Sequence, residues 1–308
     1  MARPQATPAE GPDPYGNADP EWLRVDWREH LRSAEVEGSR VNYVELAPTD
    51  PGGERPIIFV HGLAGCWQNW LEQLPEIGRA RRVIALDLPG FGRSSMPSWD
   101  VSIPAYGHFL VRFAEAVEAP EAIVVGNSLG GYVTAEAVVS EPEAFGGLVL
   151  VAAAGISHAS MRPGPIALAG RLAVGLGPLM VGYQDAAIRR PALRDSAFRS
   201  VFHRPSALRP ELLWEHYANG AGKLAFLPAL TAMVDHDLSE NLAAVAIPTL
   251  IVWGRDDRII PVADATGYGE ALPHAQTVIL ADTGHMPQVE RPTRFNRLLA
   301  AFADGLSR

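Results

Sequence analysis

Residues 122–139 read Ala-Ile-Val-Val-Gly-Asn-Ser-Leu-Gly-Gly-Tyr-Val-Thr-Ala-Glu-Ala-Val-Val. The first four are apolar and mostly β-branched, which predicts a buried strand, and the residues after Ser128 follow a helical pattern. A Gly-x-Ser-x-Gly sequence between a strand and a helix is typical of a strained turn that exposes the serine Oγ at the edge of a sheet. Gly126 and Gly130 suit this turn, because a Cβ at either position would collide with the neighbouring strand or helix. We therefore interpret Ser128 as a nucleophile.

Apolar runs like the one before Ser128 recur along the chain, and helical patterns alternate with them. The runs lie at 57–60, 83–86, 148–151, 249–253 and 277–280, and the helical patterns at 67–77, 104–117, 129–140 and 292–303. Continuous apolar runs are typical of parallel strands covered on both faces. The alternating segment 41–46 instead predicts a half-buried antiparallel edge strand. Together these patterns predict an α/β fold with a mostly parallel, doubly wound sheet.

Three parts of the chain differ in pattern. Residues 1–20 are rich in Pro, Ala and Gly and predict a loose N-terminal tail. Residues 21–155 and 243–308 contain the predicted strands and form the α/β core. Residues 156–242 show helical patterns without a convincing parallel strand, which is most simply a helical lid inserted over the active edge of the sheet. A chain of 308 residues can bury about three quarters of its unfolded surface, which is ample for this arrangement.

A nucleophilic serine needs a base to accept its proton, and the chain contains nine histidines. His285 is the best placed, because it follows the last predicted strand in a loop that can reach the carboxyl edge of the sheet. His61 also follows a strand, and we interpret it as shaping the next loop. The base needs a carboxylate to hold its tautomer, and Asp256 and Asp257 both follow the strand at 249–253. The chain order Ser, Asp, His is the expected one, but spacing alone leaves both aspartates open.

An oxyanion formed at the substrate carbonyl would need hydrogen-bond donors. The backbone N–H of Leu129 is one candidate, because it begins the helix after Ser128 and benefits from the helix dipole. The second is expected within 61–65, at the N–H of Leu63, with Ala64 as the alternative. Because these donors belong to the main chain, the side chains there chiefly shape the pocket.

Five segments resemble those of the α/β-hydrolases, in particular the lid-bearing members that use no cofactor. They are 61–65, 87–95, 126–131, 254–261 and 284–292. The resemblance covers the chain from about residue 40 to its end, outside the insertion. In the Gly-Arg-Asp-Asp-Arg pattern of that family the second aspartate is the triad acid, so the resemblance implies Asp257. It also implies a serine hydrolase with the triad Ser128, Asp257 and His285.

Three functions remain open within this resemblance. The first is hydrolysis of carboxylic esters or related acyl compounds through an acyl-enzyme. The second is hydrolysis of a C–C bond in a vinylogous diketone formed by ring cleavage. The third is a ligand receptor on the same fold with slow or absent chemistry, since fold alone does not imply function. Epoxide hydrolases and haloalkane dehalogenases of this fold carry an aspartate where Ser128 stands, which disfavours their mechanism.

The C–C hydrolases resemble this chain in some positions and differ in others. Shared positions are Asn127 beside Ser128, segment 254–258, and a cap arginine at Arg189 or Arg190. The differing positions are 63–66, where their loop is usually richer in Gly and Pro, and Met286, where they commonly carry Trp. These differences favour the ester hydrolase.

The insertion is rich in apolar residues at helical spacing. They are Ile166, Leu168, Leu172, Val174, Leu176, Leu179 and Met180, followed by Phe226, Leu227, Leu230 and Met233. A short lid has little core of its own, so we expect part of this surface to face the cleft and to favour a small-molecule substrate with an apolar acyl group. The sequence leaves the substrate-binding residues, the acyl-chain preference and the oligomeric state unassigned.

Composition narrows the other classes of function. The net charge is −9 and no basic cluster is visible, which disfavours nucleic acid as a partner. The one cysteine, Cys66, cannot form an intramolecular disulfide, and the N-terminus lacks a secretory-signal pattern. The longest apolar stretch, 166–181, is too short and too broken to span a bilayer. We therefore expect a cytoplasmic protein without stable membrane insertion.

No motif implies a metal or an organic cofactor. The sequence Asp235-His236-Asp237 contains metal-ligand residue types, but we interpret it as a surface loop or the start of a helix.

Overall fold

The computed structural model describes residues 13–48, 54–157, 177–220, 224–234, 236–239 and 241–306. The apolar runs form strands because both of their faces are covered. The strands are β1 (Leu31–Val36), β2 (Ser39–Leu46), β3 (Ile57–Val60), β4 (Val83–Leu86), β5 (Ala122–Asn127), β6 (Phe145–Val151), β7 (Thr249–Gly254) and β8 (Ala275–Leu280).

Helices connect these strands. The α-helices of the described residues are α1 (Trp27–His30), α2 (Leu74–Ile77), α3 (Ile103–Ala116), α4 (Leu129–Ser140), α5 (Gly177–Ile188), α6 (Pro191–Phe198), α7 (Pro210–Gly220), α8 (Phe226–Ala232), α9 (Ala263–Ala271), α10 (Pro287–Glu290) and α11 (Pro292–Asp304). Short 3-10 helices lie at Glu21–Arg24, Trp67–Trp70, Pro205–Ala207 and Leu242–Ala244. None of the helices in these ranges is long and apolar enough to cross a membrane. The predicted helix at 67–77 is two short pieces, because Pro75 cannot supply the N–H that a continuous helix requires there.

The eight strands form one sheet in the order β1-β2-β4-β3-β5-β6-β7-β8. Strands β3 to β8 are parallel, and β2 is antiparallel to both β1 and β4. The mostly parallel, doubly wound sheet is therefore confirmed. The prediction that segment 41–46 is an edge strand is wrong, because β1 pairs with its outer side. Half of the side chains of strand β1 are polar and five of its six residues are exposed or half-buried, as suits an exposed edge.

Alternate side chains of each strand point to opposite faces of the sheet and build two cores. In β3, Ile58 and Val60 belong to one cluster, which also contains side chains of α3, α4, α8 and α9. Ile57 and Phe59 belong to the other, which contains side chains of α2, α5, α6, α7 and α11. The described residues between β6 and β7 form helices and loops, include no strand, and contribute to both clusters.

Residues 13–20 are docked on the core, which contradicts the loose tail expected for this part of 1–20. The Tyr15 hydroxyl donates to Glu290 Oε2 at 2.6 Å, and the Gly16 N–H donates to the Glu290 carbonyl oxygen at 2.8 Å. Asn17 Nδ2 donates to Glu72 Oε2 at 2.9 Å. The Pro and Gly residues here suit turns, and in this conformation polar side chains of the segment form hydrogen bonds with carboxylates that are distant in the chain. Residues 1–12 lie outside the described ranges.

Candidate active site

Ser128 occupies the turn between β5 and α4 with φ 56° and ψ −118°. A non-glycine residue with positive φ is strained and persists only where its surroundings hold it. The Ser128 N–H donates to the Val151 carbonyl oxygen at 3.0 Å, and the Ser128 carbonyl accepts from the Ala154 N–H at 3.0 Å. These two bonds to the end of β6 and the residues after it therefore hold the turn. The predicted strained serine turn is present.

The glycines on either side of Ser128 are points of close approach. A Cβ on Gly126 would lie 2.2 Å from the Gly130 carbonyl oxygen. A Cβ on Gly130 would lie 2.3 Å from the Val60 carbonyl oxygen. Neither distance is compatible with a side chain, so the steric reason given for these glycines agrees with the structure.

His285 follows β8 and faces the carboxylate of Asp257, with 2.8 Å between His285 Nδ1 and Asp257 Oδ2. The Asp257 side chain is fully buried, and its Oδ1 accepts the N–H groups of residues 259–260 at 2.8 and 3.0 Å. Those bonds orient the other oxygen toward the ring. Asp256 is turned elsewhere, and its Oδ2 lies 3.7 Å from His203 Nδ1. The structure thus brings Asp257, and not Asp256, to His285.

The loop that carries His285 is also tied to the serine turn. Asn127 Nδ2 donates to the Val151 carbonyl oxygen at 3.0 Å and to the His285 carbonyl oxygen at 3.3 Å. The His285 N–H donates to the carbonyl oxygen of Val201, in the helical insertion, at 2.8 Å. Loops that follow parallel strands meet at one edge of a sheet, so Ser128, Asp257 and His285 share the carboxyl edge. A serine, a histidine and a carboxylate in such an arrangement can perform nucleophilic chemistry.

Backbone N–H groups at the ends of β3 and β5 suit an oxyanion. The loop after β3 approaches the serine, since a Cβ on Gly62 would lie 3.0 Å from Ser128 Cβ. The next turn contains Ala64 at φ 60°. Within the described residues, the N–H groups of Leu63, Ala64 and Leu129 have no hydrogen-bond acceptor. Donors of this kind beside a nucleophile can stabilise developing negative charge on oxygen.

His61 is fully buried at the end of β3 and serves as a link between two loops. Its Nδ1 lies 2.7 Å from the Gly62 carbonyl oxygen, and its Nε2 accepts the Leu88 N–H at 3.0 Å. Burial lowers the pKa of His61, so the ring is neutral and these partners assign the proton to Nδ1. The structure agrees with the interpretation that His61 shapes the loop that follows it.

Sequence reasoning did not assign two residues near His285: Glu290, which contacts the His285 loop, and Tyr15, which contacts Glu290. Glu290 is fully buried at the end of α10 and accepts the N–H groups of Gly284 and Met286, on either side of His285. In the sequence, the only indication of a role for Glu290 was that it lies five residues after His285, in the segment 284–292. Nothing in the sequence connects Tyr15 with that segment.

One cluster of metal-ligand residue types occurs in the described ranges. The ligand atoms of His203, Asp256 and Asp282 lie within 4.8 Å of one another. Asp282 is largely exposed, and Arg291 Nη2 lies 4.0 Å from its carboxylate, so a cation already faces this group. In the sequence 235–237, Asp235 lies outside the described residues.

His236, next to Asp235, contacts two side chains of α4. Its Nε2 lies 2.7 Å from Glu136 Oε2. Its carbonyl oxygen accepts the Tyr132 hydroxyl.

The two arginines considered for C–C hydrolysis face solvent. The Arg189 side chain is 72% exposed, lies 3.7 Å from Asp185 Oδ1, and stacks over the Trp214 ring at 5.9 Å. Arg190 is exposed at the start of α6. Neither arginine side chain is therefore buried.

The apolar residues predicted for the lid are described only in part. Ile166, Leu168, Leu172, Val174 and Leu176 lie outside the described residues, as do the side chains of Leu179 and Met180. Phe226, Leu227 and Leu230 are half-buried, and Met233 is buried in the first core cluster.

His216, on helix α7 of the insertion, gives a prediction for stability against pH. Its Nδ1 lies 2.8 Å from the Leu212 carbonyl oxygen, and burial lowers the pKa of His216 to about 4 from an ordinary value of 6.5. His216 then binds a proton more readily in the unfolded chain than in the folded one. Its contribution to the free energy of unfolding is therefore fully present above pH 6.5 and is lost as pH falls toward 4. Between pH 7 and pH 5, we expect the free energy of unfolding of His216→Gln to fall by about 2 kcal/mol less than that of wild type.

Chemical denaturation of wild type and His216→Gln at pH 7 and pH 5 measures this difference. Every other titrating group is common to both proteins and cancels. His274→Gln, at an exposed position, is the matched control and should keep the wild-type pH dependence. The prediction would be contradicted if the free energy of unfolding fell equally between pH 7 and pH 5 in wild type and in His216→Gln.

Comparison with known proteins agrees with the fold. A family model described as alpha/beta hydrolase fold matches residues 55–292. The dihydrolipoyllysine-residue acetyltransferase component of the acetoin cleaving system of Cupriavidus necator is 32% identical over 282 residues, which cover 88% of this chain and 68% of that protein. The 2-hydroxymuconate semialdehyde hydrolase of Pseudomonas sp. (strain CF600) is 29% identical over 267 residues, which cover 82% of this chain and 88% of that enzyme.

Among solved structures, that of a bacterial membrane phospholipase A matches with a TM-score of 0.68 and 27% identity, over 90% of this chain and 86% of that one. The resemblance found in the sequence is therefore confirmed by the family model, by these relatives and by the sheet order. This chain belongs to the α/β-hydrolase fold family and is a hydrolytic enzyme.

Proposed function

We propose that this chain is a serine hydrolase that cleaves carboxylic esters or related acyl compounds with an apolar acyl group. The observation that carries the proposal is the 2.8 Å contact between His285 Nδ1 and Asp257 Oδ2, at the same sheet edge as the strained turn of Ser128. A carboxylate that accepts the Nδ1 proton leaves Nε2 free to accept the proton of a serine hydroxyl.

In the proposed reaction, Ser128 Oγ attacks the ester carbonyl carbon while His285 accepts its proton. The oxyanion accepts hydrogen bonds from the N–H groups of Leu63 and Leu129. The bond between the carbonyl carbon and the alcohol oxygen then breaks, and His285 returns the proton to the departing alcohol. A water molecule, deprotonated by His285, then attacks the acyl carbon; the bond from that carbon to Ser128 Oγ breaks, His285 returns the proton to Oγ, and the acid is released. Asp257 stabilises the imidazolium in both halves of the reaction.

We also propose that residues 156–242 act as a lid over this site. Two contacts support a position at the carboxyl edge of the sheet. The His285 N–H donates to the Val201 carbonyl oxygen at 2.8 Å, and the Ala225 N–H donates to the Gly90 carbonyl oxygen at 3.4 Å. The half-buried apolar residues of α8 suit an apolar acyl chain, since ligand clefts are lined mainly by such side chains.

A second function, hydrolysis of a C–C bond in a vinylogous diketone, would use the same three residues. The 29% identity to 2-hydroxymuconate semialdehyde hydrolase favours it. The exposure of Arg189 and Arg190 and the presence of Met286 after the histidine weigh against it. We therefore place ester hydrolysis first.

Hydrolysis of p-nitrophenyl esters from acetate to palmitate tests the proposal, with Ser128→Ala protein as the blank. We expect turnover by wild type with one optimum of chain length, because a cleft of fixed depth fits one acyl length best. A ring-cleavage dienoate is assayed in parallel. Turnover of the dienoate without ester hydrolysis would replace the proposal with C–C hydrolysis, and binding without turnover of either compound would favour a receptor.

A further inference from the structure

Glu290 is a buried carboxylate that holds the His285 loop from both sides. Its oxygens accept the Gly284 N–H at 3.0 Å and the Met286 N–H at 3.3 Å, and these residues flank His285. Its Oε2 also accepts the His203 N–H from the helical insertion at 2.7 Å. One carboxylate therefore joins the loop after β8 to the insertion.

No arginine or lysine forms an ion pair with Glu290 within the described residues. Burial raises the pKa of Glu290, and its hydrogen-bond donors, with Tyr15 first, oppose that rise. The guanidinium of the adjacent Arg291 is turned to the Asp13 carbonyl oxygen at 2.9 Å and to the Tyr15 ring at 5.2 Å. A buried carboxylate without a paired cation depends on each of its donors, because a lost hydrogen bond cannot be replaced by water.

Among the residues that the structure describes, Tyr15 supplies the one side-chain donor to this carboxylate, with 2.6 Å between its hydroxyl and Glu290 Oε2. The hydroxyl also accepts the Arg204 N–H at 2.6 Å, and the Arg204 guanidinium stacks on the ring at 4.6 Å. Burial and the Glu290 carboxylate raise the pKa of Tyr15 above its usual range, so the phenol stays protonated as a donor. Tyr15 thus contacts the insertion at Arg204 and, at the same time, the carboxylate of Glu290 that holds the His285 loop.

We propose that Tyr15 and Glu290 are positioning residues for His285, and that residues 13–16 clamp the histidine loop and the insertion in the orientation that proton transfer needs. This inference rests on the proposed function, because it assigns His285 the role of the base. Neither residue is assigned contact with the reacting atoms: Glu290 acts through the backbone on either side of His285, and Tyr15 acts through Glu290. Loss of the clamp should slow proton transfer more than it weakens substrate binding.

Kinetics of the full-length protein test the clamp in four variants: Tyr15→Phe, Glu290→Gln, their double variant, and the control Tyr183→Phe. The control removes a hydroxyl that lies 2.8 Å from Ser196 Oγ in the same insertion, and within the described residues this hydroxyl has no hydrogen bond to Tyr15 or Glu290. Each protein is assayed for kcat and KM with the best p-nitrophenyl ester. The rate at which an alkyl fluorophosphonate labels Ser128 is measured separately, since that reaction also needs the base.

We expect Tyr15→Phe to lower kcat and the labelling rate about tenfold and Glu290→Gln about a hundredfold, because small displacements of a catalytic group have effects of this size. KM should stay within about twofold of wild type in both, as should every parameter of Tyr183→Phe. The double variant should be no slower than Glu290→Gln alone, because Tyr15 acts through Glu290.

Three results would count against the clamp. Wild-type rates in Tyr15→Phe would overturn it, as would a double variant whose losses multiply, since Tyr15 would then act independently. If Glu290→Gln fails to fold, the clamp is tested by comparing kcat and the labelling rate of Tyr15→Phe with those of Tyr183→Phe. A wild type that neither hydrolyses esters nor reacts with the fluorophosphonate would overturn the proposed function itself, and the clamp with it.

Discussion

Replacement of Ser128 by alanine is expected to lower kcat for the best p-nitrophenyl ester about 10⁶-fold, the effect of removing the nucleophile from a triad that acts as a unit. Alanine and serine both have a Cβ, so alanine is strained at φ 56° to about the same degree as serine, and the turn should survive. The hydrogen bonds of Ser128 to Val151 and Ala154 use only main-chain atoms and remain. Folding and ligand binding should therefore be retained while turnover is lost.

Steady-state kinetics together with thermal unfolding of the variant measure both quantities. Ser140→Ala is the matched control, because it removes a hydroxyl from the other end of α4, where Oγ donates to Glu136 Oε1 at 2.9 Å. The control should keep kcat within about twofold of wild type, as surface substitutions away from the site usually do. If Ser128→Ala retained a tenth of the wild-type rate, Ser128 could not be the nucleophile.

Asp257→Asn is expected to lower kcat about 10⁴-fold. The asparagine amide cannot both keep the N–H bonds of residues 259–260 and accept the proton of His285 Nδ1, so the ring adopts the other tautomer. In that tautomer Nε2 carries a proton and cannot accept the one on Ser128. The fold should change little, because asparagine and aspartate have the same shape.

Asp256→Asn is the matched control for this substitution, since it makes the same chemical change at the adjacent position. The Asp256 carboxylate lies 3.7 Å from His203 Nδ1 and is partly exposed, so kcat should change by no more than about threefold. Kinetics of the two variants at one pH decide between the aspartates. A large loss in Asp256→Asn with activity retained in Asp257→Asn would reverse the assignment.

Much of the fold could be predicted because its causes are local. Strands β3 and β4 begin and end where their apolar runs do, and α4 spans the predicted residues 129–140. The burial of both faces requires continuous apolar sequence, and the turn at Ser128 requires small residues at Gly126 and Gly130. Strand β1 was not predicted, because polar and apolar side chains are mixed in this short edge strand without a distinctive pattern.

The candidate site was predictable as residue types and chain order, but not as contacts. Sequence reasoning proposed Ser128, His285 and an aspartate after β7, because such groups must follow parallel strands to meet at one edge. It left Asp256 and Asp257 equivalent by spacing, since neighbours in a loop differ only in where the backbone points them. The family resemblance, and not the spacing, favoured Asp257.

The sequence by itself therefore determined the α/β architecture, the strained turn and the order of the candidate catalytic residues, because periodicity and steric demands act between near neighbours. Only the tertiary structure decided which aspartate faces His285, because the N–H groups of residues 259–260 orient that carboxylate. It also decided that Tyr15 meets Glu290, across 275 residues of chain. Contacts at such separation depend on how the whole sheet and its loops pack, and no local pattern encodes them.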